Sequence, residues 1–140
     1  MKRALLVVVA SIAAATSMMA QHEVQVLVRL SRPDAGGSVL VALCPDKASF
    51  TNDLGCLLKK AGADGPEVRV TFTGVNAGDH AVKVFHDVDG NGKLDTNWMG
   101  MPRESYGFSR DAMGSFGPPT WEQARVPVRQ ATVLHVRLRN

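Results

Sequence analysis

The chain has 140 residues, 45% of them hydrophobic, with 16 Lys and Arg against 13 Asp and Glu. Lys2 and Arg3 stand at the head of an apolar N-terminal run, and without them 14 cations face 13 anions, so the formal charge of +3 falls close to balance. A near-neutral remainder excludes the broad basic surface that nucleic acid requires.

The N-terminal run reads "ALLVVVASIAAA" and passes through small residues to Ala20. A basic head, about a dozen apolar residues and a small residue at the cut make a secretory signal. The run is too short for the roughly 20 residues of a spanning helix. The expectation is a cleaved signal over residues 1–20, with a cut after Ser17 as the alternative, and one domain over 21–140. The mature protein is then periplasmic or secreted and does not span the membrane. Its size suits one hydrophobic core. Cys44 and Cys56 are the two cysteines. In an exported chain an even pair reads as a disulfide.

Along the chain the dominant signal has period two. "EVQVLVRL" aligns Val24, Val26 and Val28, and "GSVLVALC" aligns Val39, Val41 and Leu43. "EVRVTFTGV" sets Val68, Val70 and Phe72 against Glu67, Arg69 and Thr71, and "HAVKVFHD" pairs Val82 with Val84. "ARVPVRQ" and "TVLHVRL" close the series, with Pro127 marking an edge or a bulge. Alternating β-branched residues form half-buried strands. Between them "RPDAGG", "GADGP" and "NAGD" are turns. Six short strands without a long amphipathic helix predict an all-β protein, a single antiparallel β-sandwich. One short helical segment is expected near 46–60, where Phe50, Leu54, Leu57 and Leu58 approach helical spacing and the disulfide would pin it.

Residues 86–119 carry no strand pattern and form an unusually long connection. They hold Trp98, Tyr106, Phe108 and Phe116, half of the eight aromatics. So apolar a segment folds back on itself, and the expectation is a long ordered loop. Its aromatic set is either a small core under the loop or an exposed ligand platform. Trp98, Tyr106 and Trp121 are the platform candidates, for a glycan, a peptide or a cell-envelope partner.

The loop opens with "HDVDGNGKLD". Counted from Asp87, positions one, three and five are Asp87, Asp89 and Asn91, six is Gly92, seven is the Lys93 carbonyl, and nine is Asp95. Calcium takes six to eight oxygens, and alternate side chains on a tightly wound loop turn inward to supply them. Position twelve, however, is Trp98, and the preceding segment reads as a strand. The loop is therefore no EF-hand. It is either a strand-borne calcium loop closed by a distant carboxylate, with Glu104 or Asp111 as candidates, or an Asx-rich turn without metal. No nucleophile elbow, HExxH or phosphate loop is present, so no catalytic residues are assigned.

"FHDVDGNGKLDTNWMGMPRESYGFSRDAMGSFGPPTWEQA" resembles the signature of domain-of-unknown-function family 2141, a group of exported bacterial proteins. The matching positions run from His86 and Asp87 through Asn91, Gly92, Lys93, Asp95, Asn97, Gly100, Pro102, Glu104, Gly107, Phe108 and Ser109 to Phe116, Gly117, Pro118 and Pro119. Upstream, "GVNAGDHAVKVFHD" is similar to the strand entry of transthyretin-like domains. The resemblance implies export and a small transthyretin-like or Ig-like sandwich with the loop as its distinctive part. It brings no activity, substrate or catalytic residue. Three functions stay open: a non-catalytic binding module with a calcium-ordered loop at 87–95, a metal-free structural or interaction protein whose loop is a packed cap, and an enzyme using Glu104 or Asp111 as acid or base.

Overall fold

The computed structural model describes residues 20–92 and 104–140. Every alternating segment forms a strand. These are β1 (Gln21–Arg29), β2 (Ser38–Cys44), β4 (Glu67–Asn76), β5 (Gly78–Asp87), β7 (Val126–Val128) and β8 (Thr132–Arg137). Two further strands, β3 (Leu57–Gly62) and β6 (Tyr106–Phe108), are added to them. One sheet has the order β4-β1-β8 and the other β3-β2-β5-β6, with β7 paired to β5. The expected sandwich is present, and its inner faces meet where the sequence placed them. Val24, Val26 and Val28 of β1 share one cluster with Val39, Val41 and Leu43 of β2, Val70 and Phe72 of β4, and Val82 and Val84 of β5. Fully burying each such side chain contributes roughly 1.5–3 kcal/mol.

The sheets are not wholly antiparallel. β1 pairs with β8 in parallel, from Val24 opposite Thr132 to Arg29 opposite Arg137. Alternation fixes which face a residue takes, but the same residues suit either direction of pairing. In β8 it is Val136 that is buried, as is Leu138 just beyond the strand, with Leu134 packed beside them, while Val133 is 52% exposed. Pro127 lies on β7, a three-residue strand opposite only Gly78–His80. A residue without an N–H is tolerated there.

The helical expectation holds for half its span. α1 (Lys47–Asn52) begins at Asp46, whose carboxylate accepts the Ser49 N–H at 2.8 Å while Ser49 Oγ accepts the Asp46 N–H, a reciprocal cap. Asp53 and Gly55 then adopt φ of 64° and 85°, which ends the helix. From Leu57 the chain extends along β2 as β3, Leu58 facing Ala42 and Lys60 facing Leu40. Leu57 and Leu58 belong to this edge strand and not to a helix; both are exposed, so no alternation announced it. The Cys44–Cys56 disulfide forms and ties the end of β2 to the start of β3. Closing so short a loop stabilises the fold by roughly 2–3 kcal/mol on the chain-entropy account.

The long loop also contains structure that its sequence pattern did not show. β6 pairs with β5, Tyr106 opposite Phe85 and Phe108 opposite Lys83. A single 3₁₀ turn at Ser109–Asp111 follows, then α2 (Trp121–Ala124). Tyr106 also exchanges both backbone hydrogen bonds with Arg139 at 2.9 Å, which stitches the two sheets together along one side. Gly107 makes this crossing feasible, since a Cβ there would meet the Arg137 carbonyl at 2.8 Å. Between β6 and β7, β5 changes partner. Ser109 fills the gap: its hydroxyl accepts the Val82 N–H at 2.9 Å and donates to the Ala124 carbonyl at 2.6 Å.

Candidate functional site

β5 delivers Asp87 to the mouth of the loop. Ser38 stands opposite Asp87 on β2, and the Gly36–Gly37 turn presses against the same end of β5. His86 is fully buried, and its Nε2–H donates to the Gly36 carbonyl at 2.6 Å. A carbonyl only accepts, so Nε2 carries the proton. His86 N–H in turn donates to the Ser105 carbonyl at 2.8 Å. Thus the chain that leaves as the loop at Asp87 is clamped beside the chain that returns at Glu104 and Ser105.

The Asp87 side chain is 1% exposed, and it winds the loop that follows. Oδ1 accepts the Gly90 N–H at 3.0 Å and Oδ2 accepts the Gly92 N–H at 2.8 Å. Asp89 Oδ1 accepts the Asn91 N–H at 3.2 Å. Gly90 and Gly92 take φ of 75° and 74°, the left-handed backbone this winding requires. The Asp89 bond is an Asx turn, and the Asp87 bonds reach three and five residues on to hold the winding.

Glu104, only 5% exposed, returns from the far side of the loop. One ligand atom each from Asp87, Asp89 and Glu104 lies within 4.8 Å of the other two. Oxygens bound to one calcium at about 2.3–2.6 Å can be at most about 5 Å apart, so the spread of this set is no wider than a calcium shell. The donors are all hard carboxylate oxygens, the type calcium takes.

Of the candidate ligands, Asp87, Asp89 and Glu104 are brought together. Asp111 is committed elsewhere, its carboxylate accepting the Arg137 N–H at 2.9 Å beside β8. Asn91 lies in the wound turn, and Lys93 and Asp95 lie outside the described residues, as does Trp98. The other platform candidates rest against a second apolar cluster built on Cys44, Phe50, Ala81, Phe108 and Ala124. Trp121 meets Phe50 edge-on with ring centres 6.1 Å apart, and Tyr106 meets Phe108 at 6.0 Å. Both are half-buried. The sequence pattern missed the Gly36–Gly37 clamp, although a Gly pair in a turn is a usable sign of close backbone approach.

Fold and site together define a small two-sheet β-protein whose second sheet runs out into a wound acidic loop. Residues 31–135 match the profile of the family described as "Uncharacterized protein conserved in bacteria (DUF2141)", and the chain belongs to that family. No curated protein and no solved structure matches it.

Proposed function

We propose that the protein is an exported, non-catalytic binding module whose loop is ordered by calcium held between Asp87, Asp89 and Glu104. The observation that carries this reading is the meeting of three carboxylates from both ends of the loop within 4.8 Å, two of them buried. Negative charge gathered so closely repels itself, and a divalent cation relieves the repulsion. Export rests on the basic and apolar head of the sequence and accords with the disulfide. Among the described residues no helix is long and apolar enough to cross a membrane.

The second reading, a metal-free packed cap, is favoured by one observation: the Gly90 and Gly92 N–H groups already engage both oxygens of Asp87. The two readings differ in a thermal melt of the mature, oxidised protein in EDTA, with calcium then titrated back. A ligand at about 100 times its dissociation constant adds roughly 2.7 kcal/mol, a shift of several degrees at this size. A rise that Asp87→Ala with Asp89→Ala removes supports calcium. An unmoved midpoint at millimolar calcium leaves the cap.

A further inference from the structure

An antiparallel sheet that faces water on one side normally shows that side polar residues. The second sheet does not. Its outer face carries, straight across four strands, the row Lys60, Leu40, Phe85, Tyr106. The next row is Leu58, Ala42, Lys83, Phe108. Among the described residues, the second apolar cluster covers the end of this face near Ala81 and its β6 side, reaching Phe108, Tyr106 and Ala42. The remainder is a groove of about 680 Å³, within the range of small-molecule sites. Leu40, Ala42 and Phe85 line it partly buried, and Leu58 on its rim is 72% exposed.

We infer that this groove binds a monomeric single-chain amphiphile with an anionic head, its chain on Leu40, Ala42 and Phe85 and its head at Lys60. The charges around the groove select that sign. Among the described residues lining it, Asp53 is the only carboxylate, and Lys83 already holds it at 2.6 Å. Lys60 stands at the β3 edge of the same face with no such pairing among the described residues. Asp87 lies one row beyond Phe85 and two strands from the β3 edge, and it is buried, so its charge is not presented to a head at Lys60. The inference deepens the binding-module reading by naming a ligand class, and it does not require calcium.

The test is isothermal titration of the mature, oxidised protein with dodecanoate below its micelle concentration, in EDTA. Dodecanol and vesicles of anionic phospholipid are the comparison arms. Saturable 1:1 binding of dodecanoate is expected. Lys60→Glu should weaken it about tenfold and leave dodecanol nearly unchanged. Ala42→Phe, which fills the groove, should abolish binding of both. No saturable dodecanoate binding overturns the inference. So does binding that Lys60→Glu or Ala42→Phe leaves intact, vesicle binding without dodecanoate binding, or a dimer of the free protein that Ala42→Phe dissociates. Because the titration is run in EDTA, failure of the calcium reading appears only in the melt, and failure of the groove only here.

Discussion

Asp87 and Glu104 stand on opposite sides of the loop, and the fold brings their buried carboxylates to within 4.8 Å. Asp87 closes β5, and Glu104 immediately precedes Ser105, whose carbonyl holds the N–H of His86. The loop is therefore clasped at its base by a backbone hydrogen bond and a pair of acids.

On the calcium reading, Glu104 takes the place of the closing carboxylate that Trp98 cannot supply at position twelve. Glu104→Gln keeps the size and an oxygen but loses the charge. On the calcium reading it should weaken calcium binding by roughly tenfold or more, since affinity follows ligand charge. Calorimetric titration of the two proteins checks this expectation.

Gly37 has φ of 74°, and a Cβ there would run into the Asp87 carbonyl. Gly37→Ala should destabilise by at least about 2 kcal/mol, from the left-handed backbone and the displaced strand together. Gly65 has φ of 102° with open space around it, so Gly65→Ala serves as the control for backbone strain alone. Urea unfolding of both variants separates the contact from the dihedral.

Ser109 is fully buried and joins the Val82 N–H to the Ala124 carbonyl. Ser109→Ala leaves a buried donor and a buried acceptor unmatched and should cost about 1–3 kcal/mol. Amide exchange offers a local readout: the Val82 N–H should lose protection while those of β1 keep it.

The Ser49 backbone N–H and hydroxyl beside Asp46 hold its carboxyl below the ordinary Asp value. A depressed folded pKa stabilises the native state above the unfolded value of about 3.9, and that stability is lost as pH falls through the folded value. Asp46→Asn still caps α1 but no longer titrates. The variant's unfolding free energy should therefore fall less than the parent's as pH is lowered from 5 toward 2, as denaturant titrations at several pH values would read.

Legibility followed the strength of local patterning. β1, β2, β4 and β5 alternate buried with more exposed residues over most of their length, and Val24, Val26 and Val28 could be assigned to the core before any fold was known. β3 was hidden because it is an edge strand with Leu57, Leu58, Lys59 and Lys60 all exposed. β6 was hidden because three residues are too few to alternate, and Gly107 in its centre reads as a loop. The acidic loop announced its own spacing, and Glu104 stood among the closing candidates beside Asp111. Nothing local distinguished the two, because each depends on where the chain returns.

What the amino-acid order alone determined was face and chemistry. Period-two burial set which residues turn inward, Asp and Gly set the wound turn at 87–92, and the even pair of cysteines set the disulfide. These rest on interactions between near neighbours, or on properties a residue carries wherever it lies. Only the tertiary structure decided the parallel pairing of β1 with β8, the joining of Glu104 rather than Asp111 to Asp87, and the apolar groove across β3, β2, β5 and β6. Each of these brings together residues far apart in the chain. Strand register and the path of the returning loop govern such meetings, and neither is written in any single segment.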